Sequence, residues 1–195
     1  MTASVFQWIV DNAVDLSINK RAVVAQTVAR DQTVRSVSRG GQIWRFTVSP
    51  SQGITWEKAR PYIEALDKAD RFTIGTITFG NNPGLSYLFG TQSTTPPTSA
   101  TWTQGSDALT LSGGTLTSGD LIQFGANARV YSAATTGSSI TLNRPVLDAS
   151  GSGAVTVGSN CAFKIVCTQF PEWKIDPTDR CVKWSGSFVF FEELA

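Results

Sequence analysis

The stretch Gly40-Gly41-Gln42-Ile43-Trp44-Arg45-Phe46-Thr47-Val48-Ser49 alternates in character, with Trp44, Phe46 and Val48 on one side of an extended chain and Ile43, Arg45 and Thr47 on the other. Successive side chains of a strand point to opposite faces, so this pattern predicts a half-buried β-strand. The glycine pair before it permits a turn or bulge. The same period returns near the end of the chain. Cys161, Phe163, Ile165 and Cys167 alternate with Ala162, Lys164, Val166 and Thr168, and Val182, Trp184, Phe188 and Phe190 keep even spacing over 182–191. Residues 34–79 and 163–191 are therefore expected to share a sheet.

Between these strands the period becomes helical. Trp56, Ala59, Ile63 and Leu66 recur at three- and four-residue steps, with Glu57, Lys58, Glu64, Asp67 and Lys68 opposite. Thr55 is placed to cap this helix. Pro61 removes a backbone donor, so either the helix kinks there or its regular part begins at that residue. A strand is expected over 71–79. Residues 5–18 permit a short helix through Val5, Trp8 and Ile9, and Asp11 and Asp15 would then share one face.

Residues 81–160 differ in composition from both flanks. They hold 11 of the 17 glycines, 25 serines and threonines, and 5 charged residues: Asp107, Asp120, Arg129, Arg144 and Asp148. So little charge points to short strands and tight turns packed beside neighbours. Asn81-Asn82-Pro83-Gly84 is a strong turn signal, and Pro96-Pro97 amid Ser and Thr reads as a linker. Short apolar pairs then recur at strand-and-turn spacing, as in a small barrel or sandwich. The expected fold is mainly β. It has a β-sandwich or belt host domain (1–80 plus 163–195) with one crossing helix, a linker (81–105), and an inserted small β-barrel or β-sandwich module (106–162).

The charge totals exclude little by themselves. A net charge of +1 gives no field strong enough to argue for nucleic acid or an anionic membrane. Lys20, Arg21, Arg30, Arg35, Arg39 and Arg45 nevertheless face only Asp31 between positions 20 and 45. That excess is either solvated strand faces with interface ion pairs, or a basic surface for an acidic partner or DNA. No run approaches the ~18 apolar residues of a membrane span, and the run over 5–10 lacks the basic start and cleavage site of a signal peptide. Synthesis in the cytoplasm, with neither membrane nor specific nucleic acid as partner, is the expectation. Cys161, Cys167 and Cys181 are odd in number. Six strand residues put the first two ~20 Å apart, so all three are expected to stay reduced.

Catalytic chemistry has few candidates. The chain has no histidine, which removes the commonest general base, histidine-containing triads and the usual zinc sets. There is no Cys-x-x-Cys and no phosphate-cradling glycine motif. Asp120 after Gly119 is ordinary turn chemistry, and the Asp11/Asp15 pair reads as solvated. The expected sets of catalytic, cofactor-binding and metal-binding residues are empty, with no cofactor and no enzymatic activity. Six Trp and eleven Phe could stack on single-stranded nucleic acid, but their strand-period alternation is that of a core face.

Four segments carry a resemblance. The Arg39–Ser49 strand, the helix Trp56-Glu57-Lys58-Ala59-Arg60-Pro61-Tyr62-Ile63, the pair Ser118-Gly119-Asp120-Leu121-Ile122-Gln123-Phe124 and Arg129-Val130-Tyr131, and the end Ser185-Gly186-Ser187-Phe188-Val189-Phe190-Phe191-Glu192-Glu193-Leu194 occur in that order. Together they resemble tail proteins of tailed bacteriophages, in the distal-tail-protein and baseplate-hub group. The resemblance covers about half the chain. It implies a virion structural protein whose host domain closes into a ring around the tail tube, commonly six-fold, with the insert facing outward or towards baseplate neighbours. The implied partners are other copies of the chain, the tail tube and baseplate hub proteins. Charge separation makes Arg35, Arg39, Arg45, Glu192 and Glu193 the candidate assembly contacts. The alternatives are a carbohydrate-binding receptor module, with Trp102 exposed for stacking, and a carboxylate-dependent hydrolase.

Overall fold

The computed structural model describes residues 5–20, 24–28, 34–38, 42–69, 73–125 and 129–193. The fold is mainly β, with antiparallel sheets throughout. Strands from both ends of the sequence interleave in a five-stranded sheet ordered β1 (Ala13–Asn19), β4 (Arg45–Pro50), β16 (Phe188–Glu192), β13 (Phe163–Gln169), β6 (Ile74–Ile77). Alternation dictates its two faces. Phe46, Val48, Phe163, Ile165, Cys167, Phe188 and Phe190 are buried, while Arg45, Lys164 and Thr76 lie exposed. Phe46 meets Phe163 edge-on at 5.0 Å and Trp44 meets Phe163 at 5.3 Å, a preferred arrangement of aromatic quadrupoles.

Two helices add their apolar residues to the same core. α1 (Val5–Asp11) buries Phe6, Ile9 and Val10, with Phe6 edge-on to Phe190 at 5.5 Å. α2 (Trp56–Lys68) buries Ala59, Ile63 and Leu66, three residues of its expected apolar stripe. The helix begins at Trp56 and contains Pro61, so a start at the proline is ruled out. Thr55 occupies the cap position without a side-chain capping bond, and the Trp56 amide donates instead to Arg180 O at 2.8 Å. A third helix, α3 (Pro83–Phe89), stands where a turn was expected. Asn82 explains it: its Oδ1 accepts from the amides of Gly84 and Leu85, and its Nδ2 donates to Val10 O at 3.1 Å. Three α-helices, not one, thus occur among the described residues. Asp11 ends α1 and Asp15 lies on β1, so they share no helix face.

A second, three-stranded sheet runs β14 (Glu172–Asp176), β15 (Cys181–Ser185), β5 (Ile54–Thr55). The expected single strand over 182–191 is therefore two strands in two sheets. They break at Gly186, whose φ of 114° suits glycine and few other residues. Among the described residues, strands β2 (Val24–Val28) and β3 (Val34–Ser38) pair with each other as a separate two-stranded sheet, so residues 34–38 do not join the sheet that holds β4 and β6.

Six strands form the insert's sheet, ordered β10 (Val130–Ser132), β9 (Leu121–Phe124), β12 (Gly151–Val157), β7 (Ser99–Trp102), β8 (Ala108–Ser112), β11 (Ser139–Thr141). Its two end strands meet through an Ala133–Leu142 bridge, with Ala134 N donating to Thr141 O at 2.7 Å and Asn143 N to Ser132 O at 2.9 Å. The sheet thereby closes on itself as a small barrel, which leaves few free edges. Leu109, Leu111, Leu116, Ile122, Phe124, Tyr131 and Ile140 are buried within it. Residues 81–105 are not a linker, because α3 and β7 lie inside them and β7 pairs on both sides.

The barrel docks through β9 and β10. Ile122, Phe124 and Tyr131 belong to its own core, while Leu121 and Val130, on the opposite faces of those strands, join the core of the five-stranded sheet. That double use is why all four residues of β9 are buried. Glutamines tie elements together in a way hydropathy cannot reveal, one at the barrel junction and two within the host part. Gln123 donates to and accepts from the backbone of Ala162, both at 2.9 Å, and Gln7 and Gln52 make the same two-point contact with Thr78 and Trp184. Each side-chain amide satisfies one backbone donor and one acceptor that would otherwise need a neighbouring strand.

Candidate functional site

The densest polar cluster lies at the junction of barrel and sheet. Arg144 donates from Nη1 to Glu192 Oε2 at 2.6 Å and from Nη2 to Glu192 Oε1 at 2.5 Å, the bidentate geometry a guanidinium makes with a carboxylate. Nη1 also donates to Gln42 O at 2.6 Å and Nη2 to Val130 O at 3.1 Å. Glu192 also accepts from the Trp44 amide, and Trp44 Nε1 donates to Val130 O at 3.0 Å. The two charged side chains are only 2% and 3% exposed. Charge, planarity and burial here fasten one unit to the other.

This corrects the place of Glu192 among the assembly contacts. It shares a strand face with Phe188 and Phe190, so its side chain points inward to Arg144 and not towards a second copy. Glu193, one residue on, is half-buried, and its amide donates to Lys164 O at 2.9 Å. Arg45 is exposed on β4 with its guanidinium 5.5 Å over the Phe191 ring. Arg35 lies on β3, and Arg39 falls outside the described residues. Lys20 does not sit on an open basic surface. It is half-buried, donates to Ser132 Oγ at 2.8 Å and lies 5.1 Å over Trp44, and burial lowers its pKa.

The other candidates have structural work. Asp120 is buried and accepts from Thr91 Oγ1 at 3.0 Å, Gln92 N at 2.8 Å and Thr117 N at 2.9 Å, pinning the chain that enters the barrel. Asp148 accepts from Tyr131 OH at 2.7 Å and pairs with Arg129. Burial, followed by this hydrogen bond, pushes the Tyr131 phenol up to about 12. Trp102 is no free platform: its ring stacks on Phe124 at 4.7 Å and its Nε1 donates to Ala149 O at 2.7 Å. Burial pushes the thiols of Cys161 and Cys167 up to about 12, and all three cysteines are free. Among the described residues no group of three or more His, Cys, Asp and Glu is placed to hold a metal ion, and no helix is long and apolar enough to cross a membrane.

Among the described residues the five-stranded sheet has a boundary strand at each side. β1 and β6 bound the five-stranded sheet, and each carries a large exposed apolar residue, Val14 at 68% and Ile74 at 57%. Beside β1 a groove of about 360 Å³ runs against Leu85, Leu88 and Phe89 of α3. No family model matches the sequence, and no curated protein matches it.

Proposed function

We propose that the chain is a structural protein of a bacteriophage tail, forming a ring at the distal tail or baseplate that joins the tail tube to hub or receptor-binding components. The observation that carries the ring is the five-stranded sheet, bounded among the described residues by β1 and β6. An edge strand offers unpaired amides and carbonyls to another chain, and exposed valine and isoleucine add apolar area to that contact. The two edges differ, so pairing β6 of one copy with β1 of the next is head-to-tail, a contact that forms a ring when the rotation between copies closes. Six-fold closure, a virion location and the tail partners follow from the resemblance carried by Arg39–Ser49, the α2 segment and the C-terminal strand. Asp120, Asp148 and Glu192 are all engaged in internal hydrogen bonds, which supports a structural role over a hydrolytic one. The engaged ring of Trp102 likewise weighs against sugar binding through the barrel.

The test is Val14→Lys combined with Ile74→Lys, studied by sedimentation velocity. Like charges brought to the meeting edges should shift the protein to monomer while circular dichroism stays unchanged. Undiminished association would remove the edges as the contact.

A further inference from the structure

A second cleft, of about 340 Å³, lies between the start of α2 and the β14–β15 turn, and its lining shares no residue with the groove beside β1 or the Arg144–Glu192 cluster. Its size falls in the small-ligand range of roughly 300–1,000 Å³. The floor is apolar: Trp56, with Ile175 and Pro177 beside it. Trp173 backs the Trp56 ring at 5.4 Å and 24°, so the indole is held in place while remaining half-exposed. The far wall is fixed as well. Asp176 accepts from Thr178 N at 3.0 Å and pairs with Lys183, while Arg180, at a φ of 54°, is bonded through its carbonyl to the Trp56 amide.

Around this floor stand Glu57, Asp179 and Arg180, all exposed, and none of their side chains hydrogen-bonds another described residue. That combination selects among ligands. An apolar ligand would desolvate three charged groups with nothing to bond them. Two carboxylates against one guanidinium disfavour an anion, and a cation would find a single aromatic face and a repelling arginine. A neutral sugar ring matches every group: its C–H face lies on the indole, its hydroxyls donate to the carboxylates, and its oxygens accept from the guanidinium. We propose that this cleft binds a neutral hexopyranose of a cell-surface or free saccharide. The proposal is independent of the ring reading, because it is read by ligand binding and not by assembly.

The test follows the Trp56 indole N–H resonance, assigned with Trp56→Phe, in the full chain titrated separately with maltose, lactose and N,N′-diacetylchitobiose to tens of millimolar. The expected result is a saturable shift with at least one of them. Glu57→Gln with Asp179→Asn should then weaken binding about tenfold or more at unchanged thermal stability. Arg180→Gly, which suits the left-handed backbone, should also weaken it. Absence of any saturable Trp56 shift with all three sugars, or equal affinity in the double variant, would overturn the proposal.

Discussion

Arg144 and Glu192, 48 residues apart in sequence, meet through two N–H···O bonds of 2.6 and 2.5 Å with both side chains out of water. One belongs to the inserted barrel, the other to the last strand of the host sheet. A buried ion pair is costly to desolvate, and its value shows when one partner is removed. Arg144→Met leaves a buried carboxylate uncompensated and should cost about 3–5 kcal/mol in urea unfolding. Adding Glu192→Met should restore part of that loss, though Gln42 O and Trp44 N lose partners in the double variant. Strict additivity of the two single losses would mean the pair does not act as a clamp.

Asp120 makes a second, independent tie. Its carboxylate gathers three donors from residues on both sides of the entry into the barrel. Asp120→Ala should cost about 3 kcal/mol by thermal or urea melts, because two backbone amides and a hydroxyl lose a charged acceptor together. A loss under about half a kcal/mol would show that water replaces the carboxylate freely.

The sheet strands were legible because burial of one face enforces period two. Trp44, Phe46 and Val48, and Phe163, Ile165 and Cys167, are buried as their alternation demands. The same rule, carried two residues past Phe190, places Glu192 inward; its charge suggested a surface role, and the partner that makes burial tolerable lies far off in sequence. The barrel was readable as a small β-module from its Gly, Ser and Thr content, but its first strand hid in 99–102, where Pro96-Pro97 reads as linker. α3 was missed because Asn82-Pro83-Gly84 serves equally as a turn and as a helix cap, and only the Asn82 contacts to the end of α1 separate the two. The cleft at Trp56 joins residues some 120 positions apart and left no local signal.

Alkaline pH should unfold the protein through its buried acids. Cys161 and Cys167 rise from 9.0 and Tyr131 from 10.0, each to about 12, chiefly by desolvation. The folded state holds these protons more tightly than the unfolded chain, so their contribution is complete below about pH 9 and is lost as pH rises through 12. Circular dichroism melts at pH 8 and 11 should show a lower midpoint at the higher pH. An equal or higher midpoint would contradict the assignment. At neutral pH a thiol reagent should label Cys181 first, since it alone of the three is not buried.

Charge matching around the proposed ring is testable at Arg35 and Arg39. Reversing both to Glu should repel an acidic neighbour at every repeated contact, about 1 kcal/mol each, while the monomer loses no more than about half a kcal/mol. Assembly and circular dichroism measured together separate the two effects. Normal assembly would leave apolar edge packing as the contact, and an unfolded monomer would place these arginines in the core.

Negative-stain imaging of the purified chain at micromolar concentration, with mass photometry on the same sample, addresses assembly most directly. Two unlike boundary strands bearing Val14 and Ile74 should generate closed particles of uniform mass, with six-fold rings in projection. A single monomer peak at every concentration, or open filaments of unlimited length, would contradict ring formation.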